Sequence, residues 1–296
     1  MSSRVSSIKI AERTARIEVS LRRLPPTMVI GGVILIVFLV IALTAQIWAP
    51  YPAAKTGTGR PFENPTSKHL FGTDQLGRDV FSRVMLGTRI VLTLSLSSTL
   101  LATILGGLLG LSSGLIGGWF DQLIMRLVDI MISIPFLVLA LLIIAAAGPE
   151  LSGGYLLIIL AVAIVYTPRI TRMARSVAID LKTRDFVTVA RARGESTLSI
   201  VWHELLPGAT SVLLVEFGVR AGYAPIFIGS LGFLGFGVRP PTPEWGLMIS
   251  ENRSAIVSAP AALFSPGLAL ALLVVGLNLF TDGLARVLGR TVRPGT

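Results

Sequence analysis

The sequence predicts an all-α, polytopic membrane protein with six transmembrane helices. Three observations carry that prediction. Hydrophobic residues make up 52% of the 296 residues and charged residues only 14%, where a soluble domain carries about 25%. The apolar residues gather into six blocks, several of them long enough for a hydrocarbon core that takes roughly 20 residues to cross. These blocks and their connections fill nearly the whole length, which leaves little for a separate soluble domain. The composition also excludes a disordered or collagen-like chain. The net charge of +10 does not point to nucleic acid, because the basic residues lie at segment ends rather than on one soluble face. The absence of cysteine excludes disulfides, thiolate metal sites and cysteine nucleophiles.

The elements follow in order. Residues 1–26 are polar and basic, and Pro25-Pro26 precede an apolar run from Thr27 to Trp48. That run exceeds a signal-peptide core of about 7–15 residues, so it reads as a first transmembrane helix. Trp48 and Tyr51 sit at its far end, where interfacial aromatics belong. Further blocks lie at 90–117, 124–147, 153–170, 209–237 and 259–285. The first of these carries Gly106, Gly107, Gly110 and Gly114, small residues that let helices approach closely in lipid. Pro135, Pro225 and Pro266 fall inside blocks, and kinks are expected there.

Two connections are long. Residues 49–88 open with Pro, Gly and Thr and then turn amphipathic. Leu76, Val80, Phe81, Val84 and Met85 share one face of a helix expected from Asp74 to Arg89, capped by Thr73 or Asp74 and lying at the outer interface or packed on the external ends of the spans. The second connection, 171–208, reads as two short helices hinged at Gly194, a residue suited to the left-handed position that ends a helix. Asp185 and Arg191 suit its dipole. Projecting from a membrane domain, such a hairpin is a docking element.

Positive charge chooses the orientation. Six Lys/Arg lie in 1–26, seven in 169–193 and three after 285, sixteen together, against seven in the other connections. The positive-inside rule then puts both termini and 171–208 in the cytoplasm. The expected organisation is a cytoplasmic segment 1–26, a first helix and start of an external loop at 27–70, a core of five further helices over 71–290, and a cytoplasmic tail 291–296.

No chemistry of hydrolysis is present. No lysine follows a glycine, so the phosphate-binding loop GxxxxGK[ST] is absent. His69 and His203 fall in connections on opposite sides and cannot share a metal. No catalytic residue and no metal site are expected. Charge within the spans is sparse and therefore informative. Glu216 and Arg220, at i,i+4, read as a pair in a translocation pathway or as a packing pair. Asp129 with Arg126, and Asp282 with Arg286, read as structural anchors.

At this point the sequence resembles the permease subunits of binding-protein-dependent ABC importers. Their EAA motif is matched in spacing by Ala190, Gly194, Leu206 and Pro207, with Thr188, Val189 and Glu204 departing from it. Residues 70–83 (LFGTDQLGRDVFSR) and 231–246 (LGFLGFGVRPPTPEWG) resemble two segments of the C-type subunit of dipeptide, oligopeptide and nickel importers. Residues 278–284 (NLFTDGL) resemble its final-span ending. Departures include Gly232 for a usual Ser and Ile228 where an acid is common.

The resemblance implies the MetI-like fold in a bacterial inner membrane. Its implied partners are a homologous second permease, two ATPase subunits or domains, and an extracytoplasmic binding protein. ATP and Mg would sit on the partner subunits, with no cofactor on this chain. It implies that Thr188, Val189, Ala190, Arg191, Gly194, Leu206 and Pro207 couple the chain to an ATPase. The expected solutes are dipeptides, oligopeptides or peptide-like molecules. A nickel permease of the same subfamily is the alternative. A secondary transporter without ATPases is the rival from another class, and it would want ion-coordinating residues at mid-membrane.

Overall fold

The structure, a computed structural model, describes residues 24–291; the expected cytoplasmic segment 1–26 lies mostly, and the tail 291–296 almost wholly, outside the described residues. The main helices are α1 (Pro26–Trp48), α2 (Val80–Ile116), α3 (Gly118–Ser133), α4 (Phe136–Ala146), α5 (Tyr155–Leu181), α6 (Asp185–Ala192), α7 (Thr197–Phe233), α8 (Trp245–Glu251) and α9 (Pro260–Thr291). Five of them, α1, α2, α5, α7 and α9, are long and apolar enough to span a membrane, and α3 with α4 makes a sixth if the bent pair is one span.

The bend is 97° and has a local cause. Pro135 has no N–H to donate, and Ile134 before it is extended, at ψ 131, as a residue preceding proline prefers. Pro225 and Pro266 instead stay inside continuous helices, as does Pro168.

The α2–α5 seam is the most extensive helix contact, and glycine makes it. A Cβ at Gly106 would stand 2.8 Å from the Cβ of Ile170, and Cβ atoms at Gly110 and Gly114 would each stand 2.7 Å from those of Ala174 and Ala178. Small residues four apart on both helices thus bring the backbones together, which is the lipid-phase packing expected from the sequence. Gly31 of α1 meets the backbone of α9 at Gly276 and Leu279 in the same way.

Two expected elements differ. The amphipathic helix expected from Asp74 to Arg89 forms only from Val80 onward. Gly72 and Gly77 take φ of +72 and +66, which interrupts helix there. The helix starts at Val80 and runs straight on into the span. Its cap is Asp79, whose carboxylate accepts from Ser82 N at 2.8 Å. The connection 171–208 is shorter than expected. Residues 171–181 complete α5, and from Thr197 onward the chain already belongs to α7.

Candidate functional site

Helix α2 has 37 residues, about 55 Å at 1.5 Å per residue, and it separates two constructions. At its C-terminal end sits the hairpin. Helix α6 closes with Glu195 N–H donating to the Ala190 carbonyl at 3.2 Å and Gly194 N–H to the Arg191 carbonyl at 2.9 Å. This is the Schellman pattern, with Gly194 at φ +76, where a side chain is strained. Ser196 then caps α7 by accepting from Ser199 N. A π-helical turn, Val201–Leu205, leads to Pro207.

Val187, Ala190, Ile200, Val201 and Leu205 are buried in the main core and hold the hairpin down. Arg191 donates to the Leu115 carbonyl and Lys182 to that of Gly114, so two cations satisfy carbonyls that end α2. The opposite face is open. Phe186, Val189, Leu198 and Trp202 are 41, 52, 69 and 54% exposed. Thr188, Gly194 and Pro207 are exposed, and Leu206 is half-buried. The expected coupling residues therefore divide. Ala190 and Arg191 fasten the hairpin to the core, Thr188 and Val189 face outward, Gly194 makes the turn, and Leu206 and Pro207 begin the run of α7 into the span. Glu195 is held below the usual carboxylate range by the Arg193 guanidinium.

At the other end of α2 lies a buried ionic knot. Asp74 accepts from Arg78 Nε at 2.5 Å, and Glu251 accepts from Arg78 at 2.7 Å and from Arg83 at 3.0 Å. Arg78 and Arg83 are 2 and 1% exposed. His69 Nδ1 lies 2.9 Å from Asp79. Trp245 Nε1 donates to the Val84 carbonyl, and Glu244 accepts from Gly246 and Leu247 N–H to cap α8. The Glu244 carboxylate occupies the space a side chain at residue 232 would need, a physical reason for glycine there. His69 and His203 belong to opposite ends, and no group of three or more metal-ligating side chains gathers among the described residues.

Between these ends stand the charges of the spans. Glu216 accepts from Arg220 Nε at 2.7 Å, and both side chains are mostly buried. Arg220 also lines two cavities of about 440 and 460 Å³, as does Arg169. Arg169, counted above with the cytoplasmic connection, lies at the middle of α5; without it the charge imbalance is fifteen to seven. Asp129 pairs with Arg172 at 2.6 Å and not with Arg126, because the bend brings α3 against α5. The ion pairs of the described residues do not join Asp282 to Arg286. Tyr166, Arg169 and Tyr223, which line the first cavity, carry no sequence signal beyond their polarity within an apolar run.

The family of binding-protein-dependent transport system inner membrane components matches residues 106–294. The chain belongs to this family. It is a multi-pass inner-membrane protein and a permease of an ABC importer. A relative named dipeptide transport system permease protein DppC, from Alkalihalophilus pseudofirmus, is 36% identical over 86% of this chain and 83% of its own. Two named glutathione transport system permease protein GsiD are each 38% identical. That of Pectobacterium atrosepticum matches over 86% of this chain and 84% of its own, and that of Shigella flexneri over 89 and 86%. Among solved structures, an inward-facing MetNI methionine ABC transporter matches at 20% identity and a TM-score of 0.49, over 67% of this chain and 94% of its own.

Proposed function

We propose that this permease forms half of a pathway for dipeptides, oligopeptides or peptide-like solutes, with a homologous second permease as the other half. The observation that carries the solute class is the 36–38% identity, over most of both chains, to permeases named for a dipeptide and for glutathione. The chain has no cysteine, and His203 lies exposed in the first two turns of α7, beside the hairpin; this supports the same reading over nickel, which imidazole or thiolate within the spans would hold. The core of the permease is 71–290, with 27–70 as the added first helix and loop.

The hairpin from Lys182 to Leu205 is the proposed docking element for an ATPase subunit, and Thr188, Val189, Gly194 and their neighbours are its coupling residues. Its exposed apolar face supports this, since a solvated loop has no physical reason to present Phe186, Val189, Leu198 and Trp202 together. ATP and Mg belong to two ATPase subunits or domains. An extracytoplasmic binding protein delivers solute at the knot end. Both termini and the hairpin then face the cytoplasm, a reading the excess of basic residues on that side supports.

The experiment is growth of a deletion strain on a required amino acid supplied only as a dipeptide, with and without this chain, beside radiolabelled nickel uptake. Chain-dependent growth is expected. Chain-dependent nickel uptake without it would overturn the solute class. Orientation is read from a single cysteine at Ser67, an exposed residue of a chain with no native cysteine. Labelling from the cytoplasmic side alone would reverse it.

A further inference from the structure

Arg169 and Arg220 stand fourteen residues beyond Tyr155 and Leu206, about 21 Å along their helices, and so near mid-membrane. A charge at that depth does not face lipid. Both arginines line both central cavities, and each cavity falls in the size range of small-molecule sites. The upper cavity is walled by Phe136, Tyr166, Tyr223 and Phe227. The lower one continues past Arg172 and Ser176.

The charges there do not cancel. Glu216 is engaged by Arg220, and Arg172, which lines the lower cavity, is engaged by Asp129. Among the described residues, Arg169 has no carboxylate within salt-bridge distance and is exposed to the cavities. One positive charge is left over beside an aromatic wall. A guanidinium matches a carboxylate in planar, two-bond geometry, and aromatic faces accept an apolar side chain.

We propose that Arg169, seconded by Arg220, receives the terminal carboxylate of the solute in passage, while the aromatic wall receives a side chain. This rests on the peptide-like reading above. Glu216 tunes the site by answering the charge of Arg220, which keeps the hold weak enough for release.

The test uses the assembled importer in nucleotide-free, inside-out vesicles, with a cysteine at Ser176 in the lower cavity. Alkylation of that cysteine is followed against rising concentrations of a dipeptide or of the same dipeptide amidated at its C-terminus. The dipeptide is expected to protect at roughly ten-fold lower concentration than its amide, the scale of one charge-assisted hydrogen bond. Arg169→Gln is expected to raise the dipeptide concentration to that of the amide. Arg169→Lys is expected to recover part of the difference, and Glu216→Gln to enlarge it. A folding defect would not produce opposite signs in Arg169→Gln and Glu216→Gln.

Equal protection by dipeptide and amide, or by neither, in the chain with Arg169 intact would overturn the proposal. So would an Arg169→Gln chain that loses the second permease on purification with its protection ratio unchanged, which would make Arg169 a packing residue. Dipeptide uptake by the wild-type importer separates the two levels. Uptake without carboxylate-dependent protection removes the site alone, and absence of uptake removes the peptide reading with it.

Discussion

The two ends of α2 solve opposite problems with similar residue types. At the knot end, buried Arg78, Arg83 and Asp74 are bonded with the largely buried Glu251 across 173 residues of chain. At the hairpin end, Arg193 and Glu195 also pair, yet Arg193 is 58% exposed, and the apolar residues face outward. A buried network with each charge partnered fixes one arrangement, because losing any partner strands a charge. The hairpin, held by five core residues on α6 and the start of α7, keeps apolar side chains exposed on its outer side. The contrast teaches that one end pairs its charged side chains within this chain while the other leaves apolar side chains open.

Breaking the knot end gives the largest expected effect. Glu251→Ala leaves Arg78 and Arg83 buried together with only Asp74 between them. Removing one partner of a buried ion network costs about 3–5 kcal/mol. The expected outcome is a steep fall in the thermal midpoint of the detergent-solubilised complex and in its yield. An unchanged midpoint would mean that the knot contributes nothing to stability.

Acid sharpens the same end in the opposite direction. Burial pushes the Glu244 carboxyl up to about 7, against the opposing pull of two backbone N–H donors. A folded-state value above the unfolded 4.5 means that the protonated form fits the fold better. Its contribution is fully present below about 4.5 and is lost as pH rises through 7, by up to about 3 kcal/mol. The measurement is the difference in thermal midpoint between wild type and Glu244→Gln, taken from pH 4.5 to 8. That difference should shift against wild type as pH rises, and a flat difference would remove Glu244 as the cause.

Gly194 tests how much of the hairpin is shape. Its Cβ would meet nothing within 4 Å, so a side chain brings backbone strain without a clash. Gly194→Val should cost about 1–2 kcal/mol locally and weaken ATPase co-purification, while the chain stays in the membrane. Gly194→Asn, which tolerates the left-handed region, should fall between. Normal transport and ATPase stimulation in the valine variant would refute a coupling role.

These regions were unequally legible. Hydropathy marked the apolar middle of every span, because transfer to lipid is a property of a segment by itself. It missed the helix ends at 80–89, 171–181 and 197–206, where charged and polar residues continue a helix that backbone hydrogen bonds, not lipid, extend. The Gly194 turn was readable because a left-handed cap needs only one residue type. The knot was not, since nothing local ties Arg78 to Glu251. Asp129 was assigned to Arg126 by helical spacing, and the bend at Pro135 gave it Arg172 instead. Glu216 with Arg220 was visible as a pair, but the cavities beside it depend on how α5 and α7 meet.

The smallest expected effect on stability is the sharpest test of the comparison. Val189 is 52% exposed and lies one residue from Ala190, which is fully buried. Surface substitutions away from special features stay within about 0.5 kcal/mol, so Val189→Asp should leave the thermal midpoint of the isolated permease unchanged. Ala190→Asp, placing a carboxylate in the core, should lower it sharply. If the hairpin is completed by an ATPase, Val189→Asp should nonetheless lose ATPase on co-purification, because a charge in an apolar contact is desolvated without a partner. A midpoint that falls for Val189→Asp as far as for Ala190→Asp would mean that this face packs within the permease. Full ATPase retention would mean that the docking surface lies elsewhere.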